Sequence, residues 1–167
     1  MTRRKQLHVR GSGLASFTER MIGAAKLDVH IYEEVEADTY ATNQATGVVL
    51  LASLAGGIGT IGVGAGGLGS FIIGGIAALI GWVTWAFVTY IIGTRLLPEP
   101  QTHADVGQLM RTLAFAQSPG LFRVFGSLPG VGPLALSLTQ IWLLVAMVIA
   151  IRQALDYSST FRAVGVC

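Results

Sequence analysis

The stretch Asn43 to Thr94 reads NQATGVVLLASLAGGIGTIGVGAGGLGSFIIGGIAALIGWVTWAFVTYIIGT, 52 residues without an Asp, Glu, Lys or Arg. A spanning α-helix needs about 20 apolar residues. The run is too long for one span and long enough for two. Two helices, Thr46–Gly64 and Ser70–Gly93, are expected, joined by a tight turn near Ala65–Leu68 in the glycine-rich centre. Working outward, a second charge-free run from Val124 to Ile151 holds one span at about Val131–Ile151. Between the two runs lies Val106–Gly126, apolar but carrying Arg111, Pro119-Gly120 and Arg123. It reads as a further membrane helix, kinked near Pro119. Proline removes an internal hydrogen bond, and such a break is tolerated in a membrane only where neighbouring helices cover it.

The composition of the 167 residues agrees. Apolar residues make up 52% and charged residues 12%, against about 25% charged in an ordinary soluble domain. A small soluble globule has a large surface to solvate and needs that charge outside. The balance excludes disorder, a coiled coil, a nucleic-acid-binding domain and most small soluble enzymes. The single cysteine, Cys167, gives no intrachain disulfide and no cysteine-based metal site. The basic start, Met1-Thr2-Arg3-Arg4-Lys5, is not followed by the apolar run of a secretory signal.

Charge placement predicts orientation. With the N-terminus in the cytoplasm, ten of the eleven basic residues fall on the cytoplasmic side, and Arg123 alone falls near the outer end of the kinked helix. All nine acidic residues also fall inside. The expected location is a membrane with the N-terminus on its cytoplasmic side.

Residues 1–12 read as a basic, flexible tail, and residues 13–43 as a cytoplasmic amphipathic segment. Ser16-Phe17-Thr18-Glu19 has the spacing of a capping box. Leu14, Phe17, Met21 and Ala25 then recur at helical spacing, with Glu19, Arg20 and Lys26 elsewhere. The expected home of that apolar face is the lipid–water interface. Asp28–Ala37 is a second short amphipathic piece, and Asp38 is placed to cap the first span.

Two strings, Gly57–Gly62 and Gly64–Gly69, match the dinucleotide pattern GxGxxG. That chemistry needs a strand before, a helix after and an acid about 20 residues on. The flanks here are apolar helix and the next acid is Glu99, so nucleotide binding is not expected. The better reading is close helix packing in lipid by small residues at Gly62, Gly66, Ser70 and Gly74. Gln117 and Gln140 are the main polar residues within the spans, with no ionisable group at mid-membrane of the kind a proton pump uses. His8, His30 and His103 all lie outside the spans, so no intramembrane haem ligand is expected. Arg111 can reach the interface or pair with Asp105. Trp82, Trp85, Trp142 and Arg123 are the expected contacts with partner proteins or lipid headgroups. No catalytic set, metal cluster or cofactor site is visible in the sequence.

Further residues carry a family likeness. Phe17-Thr18-Glu19-Arg20-Met21-Ile22-Gly23, Tyr32-Glu33-Glu34-Val35-Glu36-Ala37-Asp38 and Ala41-Thr42 stand at the start. Asp105–Ala116 with Ser118-Pro119-Gly120, then Leu128–Gly132 and Gln140-Ile141-Trp142, follow in order. Over residues 14–167 the chain resembles the prokaryotic branch of the Yip-domain (Ypt/Rab-interacting protein) family of small integral membrane proteins. The resemblance implies five membrane helices and a cytoplasmic N-terminus, and it brings no catalytic residues. The eukaryotic relatives bind small GTPases in vesicle traffic, an activity without an obvious prokaryotic counterpart.

The expectation is an all-α polytopic membrane bundle over residues 44–167. It has four complete spans and, at residues 160–167, the start of another, preceded by the interfacial amphipathic helix. The expected function is non-catalytic. An accessory or scaffold protein would bind membrane lipid and other integral membrane proteins, such as those of a respiratory or photosynthetic complex. Nucleic acid and nucleotide are not expected partners, and no cofactor is called for. The alternative is a small transporter or channel with a polar path near Gln117 and Gln140.

Overall fold

The structure is a computed structural model that describes residues 15–61 and 68–167. Among the described residues it is all-helical. The basic tail 1–12, Leu14, Gly62, Gly66 and most of the expected turn lie outside the described residues, as does the side chain of Ser70.

The chain opens with a helical hairpin, α1 (Phe17–Ala25) and α2 (Val29–Ala37). The Ser16 hydroxyl accepts from Glu19 N at 3.3 Å and the Glu19 carboxylate accepts from Ser16 N at 2.7 Å, so the capping box forms. Asp28 caps α2 by accepting from His30 N at 3.0 Å. Between the helices Leu27 adopts a left-handed φ of 64° to reverse the chain.

Two long helices follow, α3 (Ala41–Ile61) and α4 (Leu68–Ile91), and α4 relaxes into a π-helical turn, Ile92–Leu96. The expected third span is split as its proline demands. It consists of α5 (Val106–Phe115) and a 3-10 segment, Ser118–Ser127, with Pro119 in the first turn of the second piece. Proline is tolerated there because the first amide protons of a helix have no partner to lose. The break is covered: Ser118, Pro119 and Gly120 are buried, and a Cβ on Gly120 would lie 3.3 Å from Ala52 of α3 and 3.7 Å from Leu143. Helix α6 (Gly132–Ala154) contains Leu143, and α7 (Thr160–Val166) closes the chain.

The split segment is the centre of the molecule. It packs on α3 and α6, while α4 and α2 lie against its α5 half. Its Leu109, Leu113, Ala114 and Phe115 share one core with Val48 of α3, Ala86 of α4, and Ala146 and Ala150 of α6. Ala24, Tyr32 and Val35 belong to the same core. The hairpin's apolar face, expected to lie on lipid, therefore packs on protein, with Phe17 and Met21 partly buried against the core. Arg20, expected off that face, is its most buried charge at 1% exposure.

Among the described residues two helices are long and apolar enough to cross a membrane, Phe71–Leu96 and Gly132–Ala154. Only 6% of the most apolar stretch of the first and 28% of that of the second is buried. The outward side chains of α4 recur at helical spacing: Ile72, Ile73, Ile76, Ile80, Val83 and Phe87. Leu134, Leu138, Ile141 and Leu144 do the same on α6.

Candidate functional site: a cavity beside Arg123

Several charged groups meet where the hairpin packs on the start of α3 and on α5. Arg20 donates to Glu34 at 2.8 Å and 2.9 Å, to Asp38 at 2.7 Å and to Gln44 of α3 at 2.8 Å. Burial works against the Arg20 charge, but Asp38 and Glu34 outweigh it and hold the guanidinium above its ordinary pKa. The same bond from Arg20 holds Asp38 below the ordinary carboxylate value. Asp38 also accepts from Tyr40 N at 3.0 Å, in the turn ahead of α3, and its carbonyl rather than its side chain accepts from Ala41 N at 3.0 Å, so the expected side-chain cap on α3 does not form.

Arg111 is 5% exposed and does not pair with Asp105. It donates instead to the carbonyls of Val35, at 2.9 Å, and Glu36, two acceptors left free at the end of α2. Asp105 serves another purpose, forming a capping box with Gln108 at the start of α5. That Asp-x-x-Gln spacing is legible in the sequence but competes there with the charge-pair reading.

The link from α4 to α5 is tied to α7. Glu99 accepts from Ser158 Oγ at 2.6 Å, Ser158 N at 3.0 Å and Ser159 N at 3.3 Å, with Arg162 3.6 Å away. The Ser158 hydrogen bonds hold the Glu99 carboxyl below its usual value. The single hydroxyl proton of Tyr157 is shared between the carbonyls of Gly93, in the π-helical turn, at 2.9 Å and Leu97, the residue just after it, at 2.8 Å.

Arg123 stands apart, in the 3-10 segment. Its guanidinium donates to Gln140 at 2.9 Å, and its Cδ would lie 3.7 Å from a Cβ on Gly56. Beside it, between α3, α4, α5 and α6, is a cavity of about 370 Å³. Ser53, Gln117 and Arg123 supply its polar lining. Val49, Leu113, Met147, Trp82 and Trp85 are among the apolar side chains that complete it. Gln117 thus faces the cavity, whereas Gln140 is exposed and joins it only through Arg123.

The three tryptophans divide. Trp82 donates to Met110 O at 2.8 Å and Trp142 to Ala25 O at 2.9 Å, both within the chain. The Trp142 ring also packs on Phe122 with centroids 5.1 Å apart. Trp85 is exposed. Of the small residues singled out above, Gly74 faces open space, with nothing within 4 Å of an added Cβ. Among the described residues the closest helix approaches are at other glycines. A Cβ on Gly59 would sit 2.1 Å from the Arg123 carbonyl oxygen, and one on Gly132 2.2 Å from that of Gly126. Gly59 belongs to the first GxGxxG string, and its spacing alone does not separate it from Gly62 or Gly66.

No group of three or more potential metal ligands occurs among the described residues. No protein family, curated protein or solved structure matches the chain.

Proposed function

We propose that the chain is a non-catalytic integral membrane protein that works by binding, as an accessory or scaffold for partner membrane proteins or lipid. The observation that carries this reading is the outward apolar belt on α4, α6 and α3, where Leu50, Leu54 and Ile58 are exposed. In water such a continuous apolar surface drives association; in lipid it is the ordinary exterior.

Four traverses fit the lengths. Helices α3, α4 and α6 have 21, 24 and 23 residues, roughly 32–36 Å at 1.5 Å per residue. The α5 helix and the 3-10 segment have ten residues each, together roughly 35 Å. Neither piece reaches across a hydrocarbon core of about 30 Å alone; in series they do. The basic residues Arg20, Arg95, Arg152 and Arg162, which lie where α3 begins and where α4 and α6 finish, support a cytoplasmic placement for that end. It agrees with the order of features in the Yip-domain resemblance.

Purification in mild detergent tests the reading. Expected is a chain that needs detergent and brings down integral membrane partners, such as subunits of a respiratory or photosynthetic complex. A monodisperse, folded chain in detergent-free buffer overturns it. The alternative, a small transporter, draws on Gln117 and Arg123 lining the cavity. Solute flux into liposomes that is abolished by Gln117→Leu would favour it.

A further inference from the structure

We infer that the cavity beside Arg123 is a binding site for an anionic membrane lipid, with the phosphate of the headgroup on Arg123 and an acyl chain running toward Trp82. The inference rests on the membrane reading above and goes further, naming the ligand class and its anchor.

Arg123 lacks a countercharge. Among the described residues no carboxylate lies within ion-pair distance of it, and residues 1–14 and 62–67 contain no Asp or Glu. Its hydrogen-bond partner, Gln140, is neutral. A guanidinium has five donors in a planar fork suited to phosphate. An unpaired cation in a spanning segment is costly unless something anionic or aqueous meets it.

Arg123 sits below the end of the bundle, so its anion has to enter the cavity to meet it. Gln140 is eight residues into α6 from Gly132, roughly 12 Å from that end. The Arg123 backbone lies beside Gly59 of α3 and its side chain runs past Gly56, one turn further from that end, so the guanidinium points into the bundle and toward the cavity. The rest of the cavity suits a hydrocarbon tail. From Arg123 the lining passes Gln117 and Ser53 and becomes apolar at Leu113, Trp82 and Met147. A volume of about 370 Å³ is within the range of small-molecule sites, which are mostly apolar with a few placed polar groups. An inorganic anion would satisfy Arg123 and leave that apolar volume without purpose.

Native mass spectrometry of the full chain in mild detergent, with phosphatidylglycerol and phosphatidylcholine at equal mole fraction, tests this. Expected is retention of phosphatidylglycerol about tenfold over phosphatidylcholine, because both carry the phosphate but only in phosphatidylcholine does a choline cation already neutralise it. Arg123→Gln should remove the preference, while Arg123→Lys and the exposed Arg95→Gln keep it. Gly81→Leu should lower retention with Arg123 intact, because Gly81 lines the cavity and nothing lies within 4 Å of its Cβ position. Excess inorganic phosphate should not displace the lipid. An unchanged preference in Arg123→Gln overturns the inference, as does displacement by phosphate or full retention in Gly81→Leu. Each of those results leaves the chain dependent on detergent, so the membrane reading stands or falls separately.

Discussion

Arg20 shows how a single side chain can organise a segment. Its guanidinium binds Glu34, Asp38 and Gln44 while only 1% exposed. Arg20→Ala would leave two carboxylates facing one another, and breaking a buried pair this way costs about 3 kcal/mol. A thermal melt in detergent followed by circular dichroism should drop accordingly. Glu36 has the opposite character. Burial, then the negative charge of Asp156, lifts its pKa to about 7, with Glu33 and Asp105 adding to the rise and Arg111 opposing it. A raised carboxyl contributes full stability below its ordinary 4.5 and loses it as pH climbs through 7. Asp38, held low by Arg20, works the other way and loses its contribution as pH falls below the ordinary 3.8. The melting temperature should therefore peak on the acid side of neutrality. Glu36→Gln should raise stability at pH 8, on the order of 1 kcal/mol, and leave it nearly unchanged near pH 4.5. At this scale the sequence marks which residues are charged but not which are buried. Arg20 sits one position from Glu19 on a short helix, and only the return of α2 and α3 encloses it.

Among the elements, the apolar runs and the Pro119 break are plain in the chain, because charge-free length and a missing amide proton are local properties. The hairpin's orientation is not, since lipid and protein reward the same amphipathic face. The close contacts between elements are equally hidden. Gly59→Ala would drive a methyl group into the Arg123 carbonyl oxygen, 2.1 Å from its position. Backbone gives way less readily than a side chain, so the expected cost is about 1–3 kcal/mol. A larger spacing between α3 and the 3-10 segment should also show as weaker lipid retention at the cavity. Tyr157→Phe removes the bond shared between Gly93 of the π-helical turn and Leu97. Its expected effect is about 1–2 kcal/mol, with faster amide exchange confined to residues 92–97 and α7.

For the whole molecule, the sequence conveys an all-helical, lipid-compatible chain and the two ends of its charge distribution. It does not convey the cavity, which exists only where four elements fail to close on one another. The orientation is testable directly. In a Cys167→Ser background, Leu128→Cys should react with a membrane-impermeant maleimide on intact cells. Gln101→Cys should react only after permeabilisation. Both positions are exposed at chain reversals, at opposite ends of the bundle. The reverse pattern would invert the proposed topology.

The bond from Trp142 to Ala25 spans 117 residues of chain, and that from Gln153 to Glu33 spans 120. At a synthesis rate of about 5–20 residues per second, the hairpin leaves the ribosome roughly 6–23 s before the α6 part of its docking surface exists. Its own partners arrive much sooner, since Arg20 reaches Glu34, Asp38 and Gln44 within 24 residues. The first part of the chain to emerge can settle its internal charges early and must still wait for the last long helix before it is seated.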